Sequence, residues 1–251
     1  MGIIMSGETL DKHIHESIAE LNLLLQSWLR SESEADHKRA QILAYWIKSY
    51  TSMLQREQSF NPASIPRLKR RQIVNVDFGF RIGSELGGLH YAVVLDKQNT
   101  MNSNTVTVVP LGSLKASSKI SQNKIVLSDG IYAPLSEKAE FQLQEANKLI
   151  AALIQDSEKS NMPAEEKLKE FASQYALATK RLNEAKASTA KMDKLKYGSV
   201  ANVSQIATIS KLRIKEPVTP HSVLYGVKVS LRDMEQMELA IQNLYISKGI
   251  Q

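Results

Sequence analysis

The chain has 251 residues, 43% hydrophobic and 23% charged, enough for one large domain or two small ones. Lys plus Arg exceeds Asp plus Glu by 32 − 26 = 6, a basic balance that suits a polyanion such as nucleic acid. It has no cysteine, which excludes disulfides and thiolate metal sites and makes a reducing cytoplasm the expected setting. The opening "MGIIMSGETLDK" has too short an apolar run for a signal peptide. No apolar stretch approaches the ~20 residues that span a bilayer.

The first sixty residues read as two helices. Leu10, Ile14, Ile18, Leu21, Leu25 and Trp28 recur at spacings of three and four and form one apolar stripe. Ser33, with Asp36 three residues on, is the expected cap of the second helix. Ala40, Leu43, Trp46, Ile47, Tyr50 and Leu54 continue the period. The short polar link predicts an antiparallel hairpin over 1–62, ended by Pro62 and Pro66.

From Gln72 the texture changes to strands. "IVNVDF" alternates, "HYAVVLD" and "TVTVVPL" are rich in β-branched residues, and "NKIVL" is a fourth short candidate. Short strands with Gly and Asn between them predict a small antiparallel barrel or a strongly bent sheet. The helical period returns from Ser136, in one stripe through Leu143, Ala146, Ile150 and Leu153 and another through Leu168, Phe171, Tyr175, Ala178 and Leu182. "SVANV", "IATIS" and "VLYGVKV" are further strand candidates, and Ser230 with Asp233 caps a final amphipathic helix. The expected organisation is α+β: an N-terminal hairpin (1–62), a β domain with a C-terminal helix (70–135 and 197–251), and a helical insertion (136–196).

The stretch "RQIVNVDFGFRIGSELGGLHYAVVLDKQNTMNSNTVTVVPLGSLK" resembles the start of the PemK/MazF family of toxin endoribonucleases. Gly83-Ser84-Glu85 and Gly87-Gly88 stand where the family has its glycine loop, and Ala92 to Leu95 where the next strand follows. "GSVANVSQIATISKLRI", with Gln205-Ile206, is similar to the family segment in which a strand leads into a Gln-Ile turn. The likeness covers under half of the chain, about Arg70 to Leu127 and Gly198 to Gly249. It implies a small SH3-like barrel with a packed C-terminal helix, a homodimer, and cleavage of single-stranded RNA without metal or other cofactor. It further implies an antitoxin protein as partner, and DNA contact through an antitoxin complex. In such cleavage the ribose 2′-hydroxyl attacks the adjacent phosphate, which calls for a base, an acid and a cation.

On the family pattern the catalytic candidates are Glu85, His90 and Ser113, and the nucleic-acid contacts are Arg81, Ser84, Gly87, Gly88, Lys115 and Lys119. The chain departs from that pattern at two places. His90 and Tyr91 stand where the family usually has Arg and Pro, and Gly112 stands where its Thr or Ser is expected, with Ser113 one residue later. An imidazole shuttles protons near neutrality but gives only part-time positive charge. Two outcomes stay open: an enzyme with redistributed roles, or a barrel that binds nucleic acid or protein without cleaving. His13 and His15 are two apart on a helix and cannot share a metal. Trp28 and Trp46 lie in apolar stripes and are expected in the core. "RLKRR", Arg67 to Arg71, is either a phosphate contact or a solvated linker.

Overall fold

The computed structural model of the protein describes residues 6–114, 121–127, 132–159, 164–192 and 198–246. Their elements form two compact units. One holds α1 (Gly7–Arg30), α2 (Glu34–Glu57) and the segment Gly79–Ile82. Each helix starts on a serine whose side chain accepts a hydrogen bond from the first turn, Ser6 from the Thr9 N–H and Ser33 from the Asp36 N–H. Both tryptophans of the chain belong to this unit and are half-buried rather than in a core, Trp28 against Phe80 with ring centres 6.5 Å apart and Trp46 stacked on Tyr50 at 5.5 Å.

The Trp46 indole also lies against main chain. Gly79 has φ +83°, and a Cβ there would sit 2.6 Å from Trp46 Cζ2. Gly79→Ala therefore combines left-handed backbone strain with overpacking and is expected to destabilise this unit by about 2–4 kcal/mol. Tryptophan fluorescence during urea unfolding reads the unit by itself, because both indoles belong to it.

The second unit contains seven strands among the described residues: β1 (Ile73–Asp77), β2 (Leu89–Val94), β3 (Thr105–Ser113), β4 (Lys124–Val126), β5 (Ser199–Asn202), β6 (Ala207–Ser210) and β7 (Ile214–Glu216). They pair antiparallel in the order β4-β5-β3-β2-β1-β7, with β6 also on β3, and the sheet is not closed. "VLYGVKV" does not form the expected strand. Gly226 at φ +78° and the turn bonds Tyr225 N–H to Ser222 O and Val227 N–H to Leu224 O fold it, leaving a single bridge from Lys228 to Gln72. Its apolar residues Val223, Leu224, Val227 and Val229 are buried.

β3 organises the sheet. It pairs β6 from Thr105 to Val108, β2 from Val108 to Pro110, and β5 from Leu111 to Ser113. Pro110 stands where the partner changes from β6 to β5. A proline has no N–H to give a ladder, so the strand turns there with no buried donor left unpaired. Side chains alternate between two buried clusters. Ile73, Val93, Val109 and Leu111 face one, with Met234 and Met237 of α5 (Leu231–Tyr245). Val74, Val76, Ala92, Val94, Val106 and Val108 face the other, with Ile209 and Ile214.

α3 (Tyr132–Lys159) and α4 (Ala164–Met192) run between β4 and β5, which are neighbours, so the excursion leaves and returns at adjacent points. The boundary expected at 136 divides a packed surface. Leu135 and Ala139, one helical turn apart, are both buried in the first cluster. Lys138 Nζ donates to Tyr225 O, and Gln142 Nε2 donates to His221 O at 2.6 Å. The first turns of α3 belong to the core of the sheet unit.

One buried lysine holds the loop between β2 and β3. Lys211 Nζ donates to Thr100 O at 2.9 Å and Met101 O at 3.3 Å, and its side chain is closed off from water. Burial lowers its pKa, against the pull of the Asp96 carboxylate. The folded state thus binds this proton less tightly than the unfolded chain, so stability rises with pH from the depressed folded value up to the usual 10.5. Lys211→Met takes this donor from Met101 O and leaves Thr100 O with only the Ser103 N–H, and is expected to cost about 1–3 kcal/mol at neutral pH. The gap from wild type should widen as pH approaches 10.5, measured by urea unfolding across a pH series.

Candidate nucleic-acid interface

The glycine loop joins β1 to β2. Of its glycines, Gly83 (φ +62°) and Gly88 (φ +81°) take the left-handed conformation, and an added Cβ at either meets nothing within 4 Å. Backbone conformation is therefore what requires glycine there. The loop is closed at its base by Phe78 N–H to Gly88 O at 2.9 Å. Its middle is held by one side chain: the Leu86 N–H donates to Gln205 Oε1, and Gln205 Nε2 donates to Ser84 O at 2.9 Å. Leu86 packs on the second cluster. The carboxamide of Gln205 matches a peptide group on both sides and fixes the loop as a strand partner would. Ser84 and Glu85 remain exposed on the loop's outer side.

His90 follows in β2, opposite Val76 of β1. Its Nδ1 lies 3.1 Å from Leu111 O. A carbonyl only accepts, so Nδ1 carries the hydrogen and the neutral ring has a bare Nε2. Nε2 makes no hydrogen bond among the described residues. The strand alternation sets His90 on the face of Ala92 and Val94, and sets Gly112 on the same face through Val106 and Val108. A Cβ on Gly112 would meet nothing within 4 Å, so the surface over it is open main chain. Ser113 has the opposite parity. It pairs with Ser199 and lies on the face of Val109 and Leu111, away from His90. The one-residue offset read from the sequence therefore separates Ser113 from the imidazole rather than joining them.

The other expected residues distribute as follows. Arg81 belongs to the helical unit, in the segment Gly79–Ile82. Lys115 and Lys119 lie outside the described residues. Two of the cations in "RLKRR" have structural partners: Arg70 pairs with Glu238 of α5, and the Arg71 guanidinium holds Val229 O at 2.9 Å from Nε and 2.6 Å from Nη2. Arg71 itself has φ 72°, a strained conformation that this double bond to the carbonyl offsets.

Sequence reasoning missed two cations. Arg213 Nη1 donates to Asp77 O at 3.3 Å, and Lys215 Nζ lies 3.7 Å from Asp77 Oδ2. Asp77 is paired with Leu89, the residue before His90, so both cations stand at the end of the sheet where β2 begins. "KLRIKE" gave no periodic signal that could have found them, because β7 is three residues long and two of the three are charged. Gln205 was legible only as part of a Gln-Ile turn.

His15 Nδ1 bonds the Asp11 main-chain oxygen at 2.9 Å, in its own helix. Among the described residues no cluster of three or more His, Asp or Glu side chains is placed to hold a metal, and no helix is long and apolar enough to cross a membrane. Compared with known proteins, the chain matches no family model and no curated protein.

Proposed function

We propose that the chain is a PemK/MazF-like endoribonuclease that cleaves single-stranded RNA, on a sheet curved as an SH3-like barrel. The observation that carries this reading is the His90 imidazole. Its Nδ1–H is committed to Leu111 O, and its free Nε2 shares a face with the open main chain of Gly112. That is the arrangement a general base needs: a ring held in one tautomer, with its basic nitrogen aimed where a backbone strand can approach.

His90 Nε2 takes the proton of a ribose 2′-hydroxyl. The 2′ oxygen forms a bond to the adjacent phosphorus, and the bond from phosphorus to the 5′ oxygen breaks. The proton passes from the His90 imidazolium to that leaving oxygen through water held at Glu85, exposed on the glycine loop. The products are a 2′,3′-cyclic phosphate and a 5′-hydroxyl. Arg213 and Lys215 supply positive charge at this end of the sheet, in place of the arginine that the family pattern puts at position 90. The staple through Gln205 keeps the loop open and in register while the strand lies across it. An antitoxin segment that covers the loop would silence the enzyme, and DNA would be met through that complex.

The test is incubation of the full-length protein with single-stranded RNA in EDTA, beside His90→Ala. Cleavage by the wild type and its loss in the variant is the expected result. RNA that is shifted on a gel but left intact by both would replace the enzyme with a non-catalytic binding module on the same fold.

A prediction arises at the staple. Gln205→Ala removes the partners of Leu86 N–H and Ser84 O. It is expected to lower kcat/KM about 10-fold or more by loosening the loop, while costing about 1–2 kcal/mol of stability. Gln205→Glu keeps the acceptor and loses the donor, so it should fall between, as read by initial cleavage rates.

A further inference from the structure

The open main chain at Gly112 is one end of a longer strip. Leu111, Ala201 and Ile125 stand opposite one another in β3, β5 and β4, and all three turn to the first cluster. Their neighbours Gly112, Asn202 and Lys124 therefore turn the other way, to the face of His90. Val200, opposite Gly112, is buried, but Asn202 is only half-buried, and Lys124, directly opposite Asn202, is exposed. β2, β3, β5 and β4 are successive in the sheet, so Lys124 stands about 14 Å from His90 measured across the strands. The polar groups of this strip are left over from folding. Asn202 precedes the turn Val203–Gln205 but gives it no side-chain cap. Its Oδ1 accepts instead from the exposed Ser204 hydroxyl at 2.8 Å, and its Nδ2 hydrogens have no partner among the described residues. The next residue is Gln205, whose side chain holds the glycine loop. Lys124 makes no ion pair among the described residues. β3, β4, β5 and the turn contain no aspartate or glutamate, so nothing on them repels a polyanion.

We infer that this strip is a backbone subsite for single-stranded RNA beside the scissile bond, in which Lys124 pairs with a phosphate and Asn202 Nδ2 donates to the sugar–phosphate chain between that phosphate and His90. The inference rests on the RNA reading above and adds the course of the strand: from His90 over Gly112 and Asn202 to Lys124. Each group suits its part. An ammonium on a flexible stem meets a phosphate as a point charge. A carboxamide whose oxygen is already taken by a hydroxyl offers donors, and the backbone of a nucleic acid offers acceptors. Contacts of this kind fix where the strand lies without reading its sequence. Lys124 and Asn202 touch no reacting atom, so they bind substrate and transition state alike.

Fluorescence anisotropy of the full-length protein tests it, with a labelled single-stranded RNA of about 12 nucleotides, 2′-O-methylated so that it binds without being cut. Lys124→Ala is expected to weaken binding about 5–10-fold at low salt and to lower the slope of log affinity against log salt by about 0.7, the share of one phosphate on a single strand. Asn202→Ala should weaken binding about 2–5-fold and leave the slope unchanged, because it removes no charge. Lys124→Arg should bind within about 2-fold of wild type. Lys97→Ala makes the same change of net charge at an exposed site in the loop after β2, away from the strip, and should also stay within about 2-fold. On unmethylated RNA, Lys124→Ala should raise KM and leave kcat within about 2-fold. An effect of Lys124→Ala no larger than that of Lys97→Ala overturns the inference, and if wild type still cleaves, the enzyme reading survives it. Binding that depends on Lys124 without any cleavage keeps the strip and removes the enzyme. A protein that does not bind this RNA at all removes both.

Discussion

His90→Ala is expected to lower the rate of single-stranded RNA cleavage by about 10²–10⁴-fold, the usual contribution of a positioned general base. That loss corresponds to about 3–5 kcal/mol of transition-state stabilisation. The same change removes one hydrogen bond, Nδ1 to Leu111 O, and should cost only about 0.5–1.5 kcal/mol of folding stability. The two numbers differ enough to separate a base from a strut. His90→Asn sharpens the contrast. Its amide nitrogen reaches the place of Nδ1 and can still donate to Leu111 O, but it has no basic nitrogen where Nε2 stood. It should fold as stably as wild type and cleave as poorly as the alanine variant. If asparagine restored cleavage, the ring would be acting through its bond to β3 and not by taking a proton. Ser113→Ala makes the complementary case. Ser113 lies on the face away from His90, so its loss should change the rate less than about 3-fold, as expected for a residue outside the reacting groups.

Ala139→Asp is expected to unfold the sheet unit or to cost at least about 4 kcal/mol. Ala139 is 1% exposed, and it sits with Leu135 among Met234, Met237 and the apolar side chains of β2 and β3. A carboxylate there has no partner, and an unpaired buried charge is among the few single changes that remove most of a domain's 5–15 kcal/mol. The outer part of the same hairpin should behave differently. Among the described residues the last buried positions along it are Ala146 of α3 and Ala178 of α4. Replacing 150–174 with a short Gly/Ser link keeps both, joins chain ends that already run side by side, and adds little closure entropy. Its expected cost is within about 1–2 kcal/mol. Thermal unfolding of the two variants tells whether the insertion is welded at its root and free beyond it. Equal, small effects would mean that α3 is not part of the core.

How far this could be read from the sequence differs by element. The helices were legible because capping serines and a 3.6-residue period are local: Ser33 with Asp36 and Ser230 with Asp233 mark their helices as expected. β1, β2 and β3 were legible for a similar reason, since β-branched runs bounded by Gly and Asn have few other uses. "VLYGVKV" misled because its apolar residues answer to burial, and Gly226 turns the chain before a strand can form. β7 was invisible because three residues have no period. The root of α3 was misplaced because periodicity shows that a helix has an apolar face but not what covers it.

At the site, the glycine loop was legible through Gly83 and Gly88, whose backbone demands are local. Gln205, Arg213 and Lys215 were not, since each acts on a partner more than a hundred residues away in the chain. The opposition of Ser113 and His90 needed a strand register, which the sequence alone left open by one residue.

The chemistry of the new RNA ends is the most direct test of the central claim, that His90 Nε2 draws a proton from a ribose 2′-hydroxyl. Mass spectrometry of fragments made by the purified protein in EDTA should find 2′,3′-cyclic phosphate and 5′-hydroxyl ends, and no cut wherever the 2′ oxygen is methylated. Fragments ending in a 3′-hydroxyl, or cleavage that continues past a methylated 2′ oxygen, would contradict it.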